Sequence, residues 1–347
     1  MRRSAERATR RRVQILTRGL LLAAGAATLA IMLWQIDWRE PMHLVARGGP
    51  AMLTVPISQL LLVALSTQGW RVLLRAGQVD RPWPLLYWLR LLADSINQLL
   101  PVAQLGGEWL RAHALGHARV PRPLAYASVL ADMSIAVLTL VLSIAIGLGA
   151  LAMRGGLPEA AGMLAGIAAF AMLLTGALIA LQRGMLAAAL KLCARLVPIA
   201  GGHGARRLAT TTDSALRALY GDRRSLLCAA GWHYAAWVGG ALQTWMALRL
   251  LGVDASLGDA LIVEAVGQAM RNAGSFIPGS LGAHEAGYVL GSTLAGLPAA
   301  AGLALPMLRR LRDLATGLPV LLIWQVRNPL RAKRNEAIPE VQDAAAS

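Results

Sequence analysis

Pro101-Val-Ala-Gln-Leu-Gly106-Gly107-Glu108 and Pro278-Gly-Ser-Leu-Gly282-Ala-His-Glu285 share one pattern: a proline, six residues that include glycine, then a glutamate. Asn97 precedes the first proline and Asn272 the second, and each segment follows an apolar stretch. Proline stops a helix because it lacks an N–H and collides with the preceding turn. Glycine tolerates the bend that follows. Helix, break and new helix in an apolar setting predict a re-entrant or discontinuous helix, which survives at membrane depth only where protein buries its backbone or water reaches it. A glutamate opening the second half-helix is stabilised by the free N–H groups and the dipole there. An acid at that depth is costly, which makes Glu108 and Glu285 functional candidates. The plainer alternative is that each glutamate only caps its hairpin.

The surrounding sequence supplies the membrane. Of 347 residues, 56% are hydrophobic and 15% charged, against about 25% charged in soluble domains. The stretch 161–181 holds no charge, and 124–152 holds a single acid, Asp132. Runs of ~20 apolar residues cross a ~30 Å hydrocarbon core as helices. About six spans are expected, at 15–36, 51–75, 124–152, 159–181, 225–250 and 300–325. The interrupted stretches 84–100 and 257–297 carry the two motifs. The fold class is therefore an all-α polytopic membrane protein with two re-entrant segments.

The net charge of +16 would suggest nucleic acid in a soluble protein. Here the arginines lie between spans, so nucleic acid is excluded as a partner. The region before the first span, the segments after Trp70, the loop 182–224 and the tail are basic, whereas 37–50, the Arg154–Glu159 turn and 252–256 are not. By the positive-inside rule both termini are cytoplasmic, in a bacterial inner membrane. Residues 1–14 then form a basic cytoplasmic segment, 15–326 the membrane domain and 327–347 a cytoplasmic tail. Apolar residues at helical spacing in 182–224, among them Leu208, Leu216 and Leu219, predict amphipathic helices on the inner leaflet. The first motif follows a span ending inside, and the second follows one ending outside. Segments 15–152 and 159–326 thus read as an inverted three-plus-three repeat, an arrangement that places a substrate site near the midplane.

Further polar groups fit a central cavity. Asp132 lies within the third span, Arg309, Arg310, Arg312 and Asp313 lie in or beside the sixth, and Arg111 follows Glu108 by three residues on the same helix face. Arg271 adjoins Asn272. Arginines take phosphate bidentately, so such a cavity suits a zwitterionic or anionic lipid headgroup. The expected pairings are Glu108 with Arg111, and Glu285 with Arg312 or Asp313. The alternative for Arg309–Arg312 is an interfacial position. His113 and His117 lack the partners of a metal site, Cys193 and Cys228 match no ligand or redox spacing, and no cofactor fingerprint or catalytic set is present.

Asn97, Pro101, Gly106-Gly107-Glu108, Arg111 and, later, Phe276-Ile-Pro278 through Gly282 and Glu285 resemble the transmembrane-region family of lysylphosphatidylglycerol synthases, over about 15–326. The runs 282–288 and 308–313 are most similar to its hopanoid-biosynthesis-associated HpnL branch. The resemblance implies a membrane domain that moves or presents a lipid. Only a short tail follows Gln325, so the synthase activity of a following soluble domain is not carried over. Some relatives carry Glu-Arg in the third span where this chain has Ala131-Asp132, which removes the adjacent base. The resulting expectation is flippase-like handling of a hopanoid, isoprenoid-linked or phospholipid headgroup, without enzymatic activity. The alternatives are an assembly factor for lipid-biosynthesis enzymes and a headgroup-modifying enzyme.

Overall fold

The computed structural model describes residues 49–99, 106–154, 203–274 and 282–327. The expected spans 15–36 and 159–181, the terminal segments 1–14 and 328–347, and Pro101 and Pro278 lie outside them. Every regular element among the described residues is helical. A short 3-10 turn at Gly49–Leu53 leads into α1 (Thr54–Ala76), followed by α2 (Trp83–Leu99), α3 (Gly106–His117) and α4 (Arg122–Met153). After the undescribed segment come α5 (His203–Gly221), α6 (Arg223–Leu250), α7 (Leu257–Ala273), α8 (Ala283–Leu294) and α9 (Ala299–Arg327).

Helices α1, α4, α6 and α9 fall on four of the expected spans. Gly49–Ala76 and Arg122–Met153 are long and apolar enough to cross a membrane. Helices α6 and α9 have the length, 28 and 29 residues, but carry the polar groups of the site. The interrupted stretches become two helix pairs, α2 with α3 and α7 with α8. Their starts have local causes. At the start of α7, Ser256 Oγ accepts from the Asp259 N–H at 3.2 Å while Asp259 accepts from the Ser256 N–H at 2.7 Å, a reciprocal capping box. Glu285 reaches back to the Gly282 N–H at 2.8 Å, and Gly282 has φ of 81°, a conformation that favours glycine.

The loop 182–224 contains α5. Its apolar stripe is turned onto α4, with Leu216 and Leu219 clustered with Ala127, Ala131 and Ile135. Leu216 and Leu219, two of the side chains that give the helical spacing, are thus buried against protein, and Leu186, Leu190 and Leu196 lie outside the described residues.

The two sets of helices match in detail. Helices α2 and α7 both have 17 residues, and α3 and α8 both have 12. Arg75 pairs with Asp80 after α1, and Arg249 pairs with Asp254 after α6. Both turns close with the same backbone bonds, Val79 N–H to Leu74 and Val253 N–H to Leu248, each 3.0 Å. Each passes through a residue of positive φ, Gln78 and Gly252. Arg75 and Arg71 hold the exposed Asp80 carboxyl down to about 2.

Packing follows the same pairing. Contacts between α1 and α6 run from Val55 with Gln243, through Leu62 with Gly239, to Gly69 with His233, so these helices are antiparallel. Helix α4 packs on α7, where Gly147 meets Leu261 and Ala265, and α9 packs on α2, where Gly317 meets Ser95 and Leu99. Helix α3 folds closely onto α2 at Gly107, whose N–H donates to Asn97 Oδ1 at 2.8 Å. A Cβ there would stand 2.1 Å from the Ala93 carbonyl oxygen, a backbone atom with no room to move. Gly107→Ala is expected to destabilise the purified protein by about 1–3 kcal/mol, read as a lower midpoint in thermal unfolding in detergent. Gly149→Ala, where a methyl meets nothing within 4 Å, is expected to leave the midpoint unchanged or raise it.

Candidate functional site

Two buried ion-pair clusters form the interior. In the first, Asp132 on α4 accepts from Arg90 of α2 at 2.5 Å and Arg111 of α3 at 2.9 Å through Oδ2. Its Oδ1 lies 2.8 Å from His233 Nε2 of α6. Arg111 also lies over the Trp70 ring, 4.4 Å from its centroid. Its Nη2 is 2.7 Å from Glu108 Oε2, close as an ion pair but not aligned as a hydrogen bond. In the second cluster, Glu264 on α7 accepts from Thr244 of α6 at 2.6 Å and Tyr288 of α8 at 3.0 Å, and pairs with Arg309 of α9. Gln268 donates to its other oxygen at 2.8 Å, and Arg309 lies over the Tyr288 ring.

The clusters occupy matched positions with opposite polarity. Arg90 and Glu264 are both eighth in their helices, Arg111 and Tyr288 both sixth, Asp132 and Arg309 both eleventh. The hydrogen bonds and ion pairs of each cluster join four helices, and α6 contributes to both. An unpaired charge at membrane depth is so costly that these contacts fix the relative position of the helices.

Between the clusters lies a polar cavity of about 200 Å³. Its described walls include Gln59 and Ser66 of α1, Arg90, Asp94 and Gln98 of α2, and His233 and Gln243 of α6. Glu264, Gln268 and Arg271 of α7 and Arg309 and Arg312 of α9 complete the polar lining. Most of these charges are committed: Arg90 to Asp132, Arg309 to Glu264, and Arg312 to Asp313 at 2.8 Å and to Gln243 at 2.7 Å. Among the described residues, Asp94 and Arg271 have neither a hydrogen bond nor an ion pair. The cavity therefore offers one free charge of each sign.

The expected site residues separate into groups. Arg271 and Arg312 line the cavity. Asp132 and Arg111 stand behind it; the base missing next to Asp132 in sequence comes instead from α2 and α3. Glu108 accompanies Arg111. Asn97 and Gly107 form the α2–α3 contact, and Gly106 opens α3. Asn272 donates to its own helix, at Gln268 O, 2.7 Å away, and Gly282 starts α8. Glu285 pairs with Arg310 rather than with Arg312 or Asp313. Arg310 and Arg312 are two residues apart and so about 200° apart around the helix. Arg309 and Arg312 are buried against neighbouring helices. His113 and His117 lie 3.2 Å apart on an exposed face, and the described residues contain no group of ligands able to hold a metal.

The walls thus come from α1, α2, α6, α7 and α9, and Arg90, Asp94, His233, Gln243, Glu264 and Gln268 are additions to the site. The sequence does not single these six out; the equal spacing of Glu108, Arg111 and Asp132 with Glu285, Tyr288 and Arg309 points only to Tyr288 and Arg309. Glu264→Leu leaves Arg309 buried without its carboxylate and is expected to cost about 3–5 kcal/mol. Adding Arg309→Met removes the orphaned charge and should restore most of that stability in detergent unfolding. A double variant no more stable than Glu264→Leu would show that the two residues do not act as a pair.

No solved structure matches the chain. A UPF0104 membrane protein of Methanothermobacter thermautotrophicus is 31% identical over 115 residues, 33% of this chain and 34% of the relative, so the match spans about a third of that protein's length. The family described as the lysylphosphatidylglycerol synthase TM region matches residues 17–320. With its long apolar helices and this match across most of its length, the chain is a membrane protein that belongs to the lysylphosphatidylglycerol synthase transmembrane-region family.

Proposed function

We propose that this protein is a flippase-like carrier that receives a lipid headgroup in the polar cavity and exposes it to either side of the inner membrane. The observation that carries this reading is the cavity itself, walled by matched helices with Asp94 and Arg271 left unpaired. A headgroup crosses ~30 Å of hydrocarbon slowly because it must shed water. Fixed charges and dipoles along the path replace that hydration. Arg271, with Arg312 beside it, offers donors to phosphate oxygens, and Asp94 accepts from hydroxyl or ammonium groups.

The matched helices, with their equal spacings and antiparallel α1 and α6, support an inverted repeat of three plus three spans. In that arrangement rocking one half on the other opens the cavity alternately. Cytoplasmic termini follow from the arginine distribution. A hopanoid or other isoprenoid-derived lipid as cargo is supported by the similarity of residues 282–288 and 308–313 to the HpnL branch.

The test is leaflet exchange of fluorescent short-chain phosphatidylglycerol and phosphatidylethanolamine in vesicles of the same two lipids. Wild type is expected to exceed protein-free vesicles. Arg271→Ala should slow both reporters about tenfold, as expected for loss of a charge-assisted hydrogen bond. Asp94→Asn should slow the ethanolamine reporter more. An unlabelled polyol-headed hopanoid should compete with both. Exchange by wild type no faster than in protein-free vesicles would overturn the carrier reading and leave assembly of lipid-biosynthesis enzymes in its place.

A further inference from the structure

The polar cavity has an apolar neighbour. A crevice runs between α4, α6 and α7, lined by Leu140, Ser143 and Ile144 of α4, Tyr234 and Val238 of α6, and Leu261 of α7, among others. Its inner end is shared with the cavity: Trp237, Glu264 and Gln268 border both. Ile146 and Val238 line it and are large apolar side chains exposed on the outer surface of α4 and α6, and Leu142 and Leu242 are exposed on the same two helices. One continuous path therefore leads from the charged chamber, past the Glu264–Gln268 pair, to the surface that faces hydrocarbon.

An amphiphile bound by its headgroup needs such a path. The tail would lose the hydrophobic contribution of about 0.8 kcal/mol per methylene if it were held in a polar chamber, so it must lie in an apolar channel contiguous with the headgroup site. The matched place on the other set of helices is built differently. Tyr87 of α2 corresponds to Leu261 of α7, both fifth in their helices. The Tyr87 hydroxyl bonds the Leu60 carbonyl at 3.0 Å, tying α2 to α1. On the α4–α6–α7 side Leu261 makes no such bridge.

Resting on the headgroup reading of the cavity, we propose that the α4–α6–α7 crevice is the lateral portal through which one hydrocarbon tail of the bound lipid passes into the bilayer. Ser143 and Val238 border the portal without lining the polar cavity. Val238 is partly exposed, so a larger side chain there narrows the portal without disturbing the core.

The experiment reads tail occupancy rather than transport. The full-length protein is placed in vesicles of phosphatidylethanolamine and phosphatidylglycerol that hold a trace of phosphatidylglycerol with a photoreactive diazirine in the middle of one acyl chain. After illumination the labelled peptides are mapped. Trp237 and Tyr234, at the crevice floor, should label more strongly than Leu322, an exposed residue of α9 that reports lipid on the outer surface. Val238→Trp and Ser143→Phe should each cut the floor label about tenfold and leave the Leu322 label unchanged. Floor labelling no stronger than at Leu322, or insensitive to both plugs, overturns the portal. So does a crevice that stays unlabelled while Val238→Cys forms disulfide-linked dimers, because a second copy then covers it. An occupied crevice in a protein that gives no leaflet exchange overturns the carrier function and not the portal. Exchange that depends on Arg271 with an unlabelled crevice overturns the portal and not the carrier function.

Discussion

A charge buried at membrane depth must be paired, and the arrangement of this protein depends on two acids, Asp132 and Glu264, that satisfy that demand. Each is met by groups from three other helices: Arg90, Arg111 and His233 in one case, Thr244, Tyr288 and Arg309 in the other. Apolar side chains do little to specify how helices meet in lipid, since the tails are as apolar as leucine. The two clusters supply that specification. Because α6 contributes His233 to one and Thr244 to the other, the two clusters share one helix.

This scaffold accounts for the charges that remain free. With Arg90 held by Asp132 and Arg309 held by Glu264, the chamber between them keeps its shape without a ligand. Asp94 and Arg271 face that chamber and are not used in building it. Structural charges stand behind the wall or bridge within it, and charges available to cargo stand in front. The opposite polarity of the matched clusters also makes the two sides of the chamber chemically unlike, so a headgroup meets a different surface on each half.

Hydropathy alone marks 51–75 and 124–152, the more polar stretches 225–250 and 300–325 are legible by length, and the proline-glycine-glutamate segments fall between α2 and α3 and between α7 and α8. Asp132 was legible as the single acid in a long apolar run. Arg90, Asp94 and Glu264 were not, because α2 and α7 mix polar and apolar residues, and composition does not say which of them faces a partner helix. The expected pairing of Glu285 with Arg312 or Asp313 fails for a related reason: neighbouring residues point to different sides of α9, and only packing selects Arg310. The repeated Arg-to-Asp turns at Arg75–Asp80 and Arg249–Asp254 were present in the sequence throughout. They become informative once the helices on both sides are aligned.

Those two turns also give the most direct test of the central claim, that matched halves of opposite orientation enclose the cavity. In a chain with Cys193 and Cys228 replaced by serine, Asp80→Cys and Asp254→Cys place single thiols in corresponding turns, at a conformation shared by both. An impermeant thiol reagent applied to intact cells and to inverted membrane vesicles reads the side of each. Inverted halves require Asp254→Cys to react in cells and Asp80→Cys to react in inverted vesicles. Reaction of both thiols from the same side would contradict the inverted arrangement and, with it, alternating access to the chamber.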